Sequence, residues 1–201
     1  MDLWAYEREQ WAQGKETVCG VDEAGAGPLA GPVYAAAVIL PREMEIPGLN
    51  DSKKLTEKKR EALFDVIVEK ALAYSIARVE AAEIDEIDIL NARMKAMQLA
   101  IDGLSILPDM ALIDGNRAKE FGIPVQTVVK GDSLSANIAA ASVLAKVTRD
   151  DLMLEMAKEY PGYGFEIHKG YGTKAHYEAL RSMGPCPIHR MTFLKKFYGE
   201  K

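Results

Sequence analysis

Two adjacent carboxylates, Asp22 and Glu23, follow a short β-type segment and directly precede a run rich in glycine and proline. Two later acids, Asp114 and Asp132, also follow apolar or β-branched segments. Ligands of open α/β sheets gather beyond the carboxyl ends of the strands. We therefore expect these acids to converge, although the sequence separates them widely.

Converging carboxylates have a definite chemical use. They repel one another strongly unless cations lie between them. Oxygen ligands without neighbouring His or Cys favour Mg²⁺ or Mn²⁺ over zinc. Two such ions about 4 Å apart activate a water and stabilise the leaving oxygen of a phosphodiester. The sequence predicts a two-metal hydrolytic site whose ligands and catalytic groups are the same acids: Asp22, Glu23, Asp114 and Asp132.

Each acid also has a purely structural interpretation. Asp22 and Glu23 could form a solvated strand end. Asp114 is followed by glycine, a common hairpin turn pair, and Asp132 could cap the next helix. Because neighbours on a regular strand point to opposite faces, Asp22 and Glu23 can share a metal only if the backbone is irregular there, or if one contributes through its carbonyl.

The glycine-rich run after these acids, residues 25–32, begins with the loose dinucleotide-binding pattern G-x-G-x-x-A at 25–30. That pattern should open a helix whose N-terminus holds a pyrophosphate. Here Pro28 and Pro32 lead into a β-type segment, which opposes a dinucleotide site. Glycines in a non-helical turn instead let backbone N–H and C=O groups approach a ligand closely. A sugar hydroxyl, which donates and accepts, is a suitable target.

The surrounding periodicity predicts an α/β domain with a mixed sheet and helices on both faces. The first two strands are joined too closely for a crossover helix and are expected to form a hairpin. Strands are expected at 17–22, 33–40, 74–79, 110–113 and 125–129. Helices are expected at 1–15, from the N-cap Thr56 to Leu72, at 83–106 in two pieces broken near Asp88, and at 135–159, 174–183 and 192–198.

Composition limits the class of protein. A chain of 201 residues with 48% hydrophobic residues can bury the core of one domain. The net charge of −5 argues against nonspecific coating of nucleic acid, but not against an enzyme that binds a few phosphates locally. The N-terminus lacks a secretion-signal profile, the apolar run 33–40 is too short for a bilayer, and Cys19 and Cys186 have no metal or redox spacing. A cytoplasmic protein without membrane contact is expected.

Seven motifs follow one another in a fixed order over nearly the whole chain: DEAGAGPLAGPV at 22–33, LNDSKKL at 49–55, IDGN at 113–116, KGD at 130–132, IAAASVLAKV at 138–147, HKGYGT at 168–173 and GPCPIHR at 184–190. Together they resemble bacterial ribonuclease HII, the type 2 ribonuclease H family. The resemblance implies a ribonuclease H-like fold, a mixed five-stranded sheet flanked by helices with a small helical C-terminal extension. We expect a catalytic domain over 1–160 and a part over 161–201 that completes the substrate site.

The resemblance also implies an activity. Such enzymes are metal-dependent endonucleases that cut the RNA strand of RNA–DNA hybrids. They also incise at single ribonucleotides embedded in duplex DNA, leaving 3′-hydroxyl and 5′-phosphate ends, as in primer removal and ribonucleotide excision repair. Two Mg²⁺ or Mn²⁺ ions are held by the four acids named above.

Substrate contacts are implied in the same way. The motif Gly25-Ala26-Gly27 contacts the ribose 2′-hydroxyl through its backbone, and Tyr171 stacks beside that ribose and helps to select an RNA-to-DNA step. Other candidate contacts to the nucleic-acid backbone are Asn50, Ser52, Lys53 and Lys54 in one loop, and Ser142, Lys146, Lys169 and Arg190 elsewhere. The three histidines, His168, His176 and His189, are expected to be structural or surface groups.

One position departs from the family pattern. Arginine usually stands between the two glycines, where this chain has Ala26. The backbone role survives because Gly25 and Gly27 remain, whereas a charge-assisted guanidinium contact to a phosphate is lost. We therefore expect catalysis with weaker substrate binding or an altered junction preference, unless another cation substitutes.

Three other classes of protein are considered. An RNA-binding module without cleavage would keep the basic residues and Tyr171 but has no use for four acids. A Rossmann-type oxidoreductase needs the glycine motif to open a helix. A divergent type 3 ribonuclease H is a closer alternative, which substrate preference would separate. The sequence does not decide between Mg²⁺ and Mn²⁺. It suggests a monomer and leaves open a replication clamp bound to the tail 193–201.

Overall fold

A computed structural model describes residues 2–49 and 55–199. The predicted loop contacts Asn50, Ser52, Lys53 and Lys54 lie outside these ranges. The fold is built on a five-stranded mixed sheet in the spatial order β3-β2-β1-β4-β5. Its strands are β1 (Val18–Ala24), β2 (Val33–Ile39), β3 (Ala73–Val79), β4 (Met110–Asp114) and β5 (Val125–Val128).

Strand β1 occupies the centre of the sheet. It pairs antiparallel with β2, as the predicted hairpin requires, and parallel with β4 on its other side. β2 pairs antiparallel with β3, and β4 pairs parallel with β5. The prediction of a mixed five-stranded sheet is therefore confirmed.

Eight α-helices flank this sheet in the described ranges: α1 (Ala5–Ala12), α2 (Glu57–Lys70), α3 (Ala81–Ile87), α4 (Ile89–Asp102), α5 (Ala136–Glu159), α6 (Phe165–His168), α7 (Lys174–Met183) and α8 (Met191–Tyr198). The predicted break in the 83–106 segment falls at Asp88, whose backbone has φ 65°. The one-turn helix α6 was not predicted, because four residues are too few for a periodic signal.

Both faces of the sheet are covered, which explains why β2 reads as a continuous apolar run. Every residue of β2 is buried. Ala35 and Ala37 belong to the core on the α4 side, whereas Ala36 and Val38 belong to the core on the α5 side. The described part of the chain contains no helix long and apolar enough to cross a membrane.

Helix α5 is fixed to the sheet at its first turn. Ser135 caps it by accepting a hydrogen bond from the Ile138 amide at 3.2 Å, and the buried Glu7 carboxylate accepts from the Ser135 hydroxyl and the Asn137 amide. The Asn137 side chain bridges β1 and β2, donating to Val18 O and accepting from the Leu40 amide. Ser135 is therefore the N-cap of α5. Asp132, for which capping this helix was the alternative interpretation, does not have that role.

The contact between β1 and α5 depends on Gly20. A Cβ at this position would overlap the backbone of Asn137 and Ile138, which cannot move without shifting the helix. We expect Gly20→Ala to lower the free energy of unfolding by about 3 kcal/mol through overpacking. Urea denaturation measures this change.

Gly27→Ala is the matched control, because a Cβ there would meet only Tyr171 at an ordinary 3.7 Å. Equal stability losses in the two variants would contradict a role for Gly20 in helix packing.

Candidate active site

Three of the four predicted acids come together at the carboxyl end of the central strands. The parallel register pairs Val21 of β1 with Ile113 of β4, so Asp22 and Asp114 follow at neighbouring positions. Adjacent strands lie about 4.8 Å apart. Asp114 Oδ1 accepts hydrogen bonds from the Gly131 amide at 2.7 Å and the Asp132 amide at 3.4 Å, which brings the third acid to the same place.

The local structure removes the turn interpretation of Asp114. A hairpin turn joins antiparallel strands, whereas β4 and β5 run parallel, with Asp114 next to Val128. The Gly115 amide donates to Val128 O at 3.0 Å, with the glycine at φ 103°. Gly131 allows the chain to return close to Asp114, since a Cβ there would lie 3.3 Å from Asp114 Oδ1.

The burial and donor atoms of these acids suit a hard divalent cation. Asp22 and Asp132 are only 3% and 5% exposed, and a buried carboxylate requires hydrogen bonds, a charged partner or a metal. The predicted oxygen ligands fit Mg²⁺ or Mn²⁺. Asp22 Oδ1 accepts from the Glu23 amide at 2.7 Å. Within residues 2–49 and 55–199 no group of three or more His, Cys, Asp or Glu side chains is placed to hold a metal ion, so these acids would have to reorient to share one.

Glu23 lies on the opposite face of the sheet from Asp22. β1 pairs regularly with β2 through both residues, so their side chains alternate. Glu23 Oε1 is 2.5 Å from Arg93 Nη2 of α4, whereas Gly20, on the Asp22 face, packs against α5. Asp22 and Glu23 could share a metal only if the backbone were irregular or if one residue contributed through its carbonyl. The backbone is regular here, so only the Glu23 carbonyl could contribute.

The glycine-rich run 25–32 forms an irregular loop held from inside by Arg190. This residue has no exposed surface. Its guanidinium donates to the carbonyls of Gly25 at 2.6 Å, Ala26 at 3.1 Å and Gly31 at 2.8 and 2.9 Å. The predicted phosphate contact of Arg190 is therefore replaced by a positioning role, because its donors already bind main-chain carbonyls.

A second buried guanidinium, that of Arg149, holds the other half of the loop. It is 1% exposed and donates to the carbonyls of Ala30, Pro32 and Lys169 at 3.0–3.1 Å. Gly25 must be a glycine here, because its φ is 92° and a Cβ would overlap the Arg149 side chain. Sequence reasoning missed the role of Arg149, because helical periodicity cannot show that a cation is buried among carbonyls.

Burial of the two arginines has an electrostatic consequence. Loss of hydration, with repulsion from the Arg149 charge, lowers the pKa of Arg190 to about 9, and loss of hydration also lowers the pKa of Arg149. An arginine side chain keeps its proton at pH 7 in proteins, so both groups are charged. The loop therefore encloses two positive charges that its carbonyl dipoles must stabilise.

Tyr171 lies beside the glycine motif, as the resemblance implied. Its side chain remains 44% exposed. A Cβ at Gly27 would be 3.7 Å from Tyr171 Cε1, and the Arg149 guanidinium lies 6.0 Å from the Tyr171 ring centroid. The segment that contains Tyr171 also holds the loop directly, because the Leu29 amide donates a hydrogen bond to Gly170 O at 2.8 Å. An exposed aromatic face thus adjoins the backbone of residues 25–27.

The remaining predicted contacts occupy different environments. Ser142 is buried in α5, between the residues that meet Gly20 and Gly25. Lys146 is partly buried and forms an ion pair with Asp150 at 2.7 Å. Lys169 donates to the carbonyl of Glu166 at 2.6 Å. Lys146 and Lys169 thus retain partial exposure near the loop, whereas Ser142 lies in the interior.

Comparisons with known proteins agree with this architecture. The ribonuclease HII family profile matches residues 19–196. A ribonuclease HII from Acetivibrio thermocellus is 54% identical over 197 residues, covering 98% of this chain and 77% of that protein. One from Endomicrobium trichonymphae is 56% identical over 194 residues, covering 96% and 92%. The ribonuclease H2 structure from Pyrococcus horikoshii OT3 matches with TM-score 0.75 and 26% identity, covering 92% of this chain and all of that one.

Two more distant structures share the fold alone. Ribonuclease HII from the Archaeoglobus fulgidus PCNA complex matches with TM-score 0.71 and 24% identity, covering 88% of this chain and 93% of that chain. Bst-RNase HIII in complex with Mn²⁺ matches with TM-score 0.59 and 18% identity, covering 84% and 63%. The mixed five-stranded sheet and its likeness to the Pyrococcus horikoshii structure define a ribonuclease H-like enzyme fold. The chain belongs to the ribonuclease HII family, so it is a ribonuclease H of type 2 rather than type 3.

The buried arginines generate a stability prediction. Arg149→Met would leave three buried carbonyls without their donor, and we expect the free energy of unfolding to fall by about 3 kcal/mol. Urea denaturation of the purified variant measures the loss. Arg42→Met is the control, since Arg42 forms an exposed ion pair with Glu16, for which a change below about 1 kcal/mol is expected. Similar small changes in both variants would contradict the clamping role.

Proposed function

We propose that this chain hydrolyses the RNA strand of RNA–DNA hybrids and incises at single ribonucleotides embedded in duplex DNA, leaving 3′-hydroxyl and 5′-phosphate ends. One observation carries the proposal: Asp22, Asp114 and Asp132 gather at the strand ends where the chain enters the clamped glycine loop beside Tyr171. An acid site for metal ions thus adjoins a backbone surface suited to a ribose.

Mg²⁺ or Mn²⁺ is the proposed cofactor, with two ions in the active complex. The carboxylates of Asp22, Asp114 and Asp132 would hold them, together with the Glu23 carbonyl. When bound, such ions lower the pKa of a water and stabilise charge on the leaving oxygen. The distant structural neighbour Bst-RNase HIII is described in complex with Mn²⁺.

The residues of the chain contribute binding and orientation. The backbone of residues 25–27 presents N–H and C=O groups to a 2′-hydroxyl, which distinguishes RNA from DNA. Tyr171 offers a ring for stacking on the adjoining sugar or base, an interaction worth roughly 1–3 kcal/mol. Lys146 and Lys169 add positive charge near the path of the phosphates. The predicted loop residues Asn50, Ser52, Lys53 and Lys54 and the buried Ser142 remain part of the proposed substrate site.

The absence of an arginine between the glycines is not compensated by the neighbouring guanidiniums. Arg149 and Arg190 lie behind the loop, and their donors bind main-chain carbonyls. Ala26 is partly exposed, and its carbonyl accepts from Arg190. We therefore propose that Ala26 preserves the loop conformation while removing one phosphate contact.

The proposed setting is ribonucleotide excision repair and primer removal by a monomer in the cytoplasm. A replication clamp is a further candidate partner. The structural neighbour from Archaeoglobus fulgidus is described in a complex with PCNA. A pull-down with and without the tail 193–201 would test this contact.

The metal site is tested by Asp22→Asn on a DNA duplex with one embedded ribonucleotide, with Mg²⁺ or Mn²⁺. We expect the rate of incision to fall by roughly 10³-fold, because one ligand charge is lost from a site that stabilises the transition state by several kcal/mol. Quantified cleavage products give the rate.

Asp65→Asn, on the exposed side of α2, is the matched control and should retain the parent rate. A parent chain without metal-dependent incision would disprove the proposed activity. Full activity of Asp22→Asn would disprove the assigned site but not the activity.

The second substitution concerns Ala26. We expect Ala26→Arg to lower KM by about 3- to 10-fold, because one charge-assisted phosphate contact contributes roughly 1 kcal/mol. Steady-state kinetics on the same duplex measures KM, and sequencing of the products measures the site of incision. Ala12→Arg adds the same charge at an exposed position of α1 and should leave both unchanged. Identical KM and site choice in Ala26→Arg and the parent would refute the role given to this position.

A further inference from the structure

Three histidines lie together behind Tyr171 in the C-terminal part of the chain. His176 and His189 are 0% and 3% exposed, and their Nε2 atoms are 3.0 Å apart. His168 stacks on His176 with 4.5 Å between ring centroids. The sequence indicated structural or surface groups. The structure shows a bonded imidazole pair that joins two loop segments.

The positions of the protons in this pair follow from the chemistry of the partners. A carbonyl can only accept, so Nδ1 of His176, 2.9 Å from Tyr171 O, carries a proton. A neutral His176 then has a bare Nε2, which accepts from Nε2–H of His189. Nδ1 of His189 is consequently bare and accepts from the Cys186 amide at 2.9 Å.

The pair is neutral at pH 7. Burial lowers the pKa of His176, and burial together with repulsion from His176 lowers the pKa of His189 to about 4. Burial also raises the pKa of the Cys186 thiol, whose Sγ is 3.2 Å from Nδ1 of His189. The thiol therefore keeps its proton, and the hydrogen bonds run in one direction, from Cys186 to Tyr171. We call this chain of bonds the imidazole relay.

The relay ends on a backbone unit that is held from both sides. The Tyr171 amide donates to His168 O at 2.9 Å. Its carbonyl accepts from the Thr173 amide at 2.8 Å in addition to Nδ1 of His176. The backbone of Tyr171 is thus held by main-chain bonds and by the side chain of His176.

The two segments joined by the relay are the ones that hold the glycine loop. From the 168–173 segment, Gly170 O accepts from the Leu29 amide at 2.8 Å. From the 184–190 segment, the Arg190 amide donates to Leu29 O at 2.8 Å. The relay therefore closes a ring of contacts around Leu29, with Tyr171 on its solvent side.

We propose that His176 and His189 are positioning residues for substrate binding, because the imidazole relay fixes Tyr171 beside the glycine motif. The inference rests on the proposed function, in which Tyr171 contacts the substrate. Neither histidine reaches the solvent or the acids, so loss of the relay changes the presentation of Tyr171 and not the metal chemistry. Without the relay, Tyr171 must be ordered at the binding step, which raises KM more than it changes kcat.

Nitrogen chemical shifts test the relay without reference to activity. In ¹⁵N NMR of the parent chain at pH 7, we expect neutral His176 protonated on Nδ1 and neutral His189 protonated on Nε2. A His176 ring that is charged, or protonated on Nε2, would overturn the relay. This measurement remains decisive if the parent does not cleave the ribonucleotide-containing duplex, an outcome that would count against the proposed function alone.

Kinetics of variants tests the positioning role. We expect His176→Phe to raise KM for the ribonucleotide-containing duplex by about 3- to 10-fold, with little change in kcat, because one hydrogen bond to Tyr171 O is lost. His176→Asn should restore most of the lost KM, because its amide nitrogen occupies the place of Nδ1 as a donor. In a Tyr171→Ala background, His176→Phe should raise KM no further.

Phe165→Leu separates positioning from core stability. Phe165 is fully buried against the rings of His176 and His189 but belongs to no part of the relay. We expect it to lower thermal stability and leave KM unchanged. An equal rise of KM in Phe165→Leu, or a full additional rise for His176→Phe in the Tyr171→Ala background, would overturn the proposal.

Discussion

Two buried guanidinium groups, those of Arg149 and Arg190, determine the shape of the loop that is proposed to bind the substrate. Burial of a charge costs several kcal/mol unless polar groups replace its hydration. Here the carbonyls of an irregular segment, 25–32, take that place. The same carbonyls have no strand or helix partner, so they need donors in turn. The loop and the two arginines therefore stabilise each other. As a result, the backbone of the glycine motif is held in one conformation.

Helix α5 links this loop to the acids. Its first turn meets Gly20 of β1, and three turns later Arg149 reaches Gly25 and the carbonyls beyond it. Because an α-helix rises 1.5 Å per residue, the length of α5 between these two contacts fixes how far the loop lies from Gly20. Asp22 and Glu23 lie on β1 between those two contacts. A change in packing at Gly20 would thus be transmitted to the loop as well as to the core.

Much of the fold follows from local pattern. The β-branched and apolar runs predicted all five strands, and the predicted break near Asp88 in the 83–106 segment is also confirmed. The N-cap at Thr56 was also correct, since its hydroxyl accepts from the Lys59 amide. The position of α6 was missed. So was the extension of β1 beyond Asp22 through Glu23 and Ala24, which apolar periodicity alone does not mark.

The sequence by itself determined the family, the sheet and the acids, because covalent order fixes which residues end each strand and which motifs follow. Only the tertiary structure decided which side chains share an environment. Asp22 and Glu23 are neighbours in the chain but lie on opposite faces, since strand geometry alternates. Arg190 is far from the glycine motif in sequence and yet binds it, since burial of a cation is decided by contacts that no local pattern records.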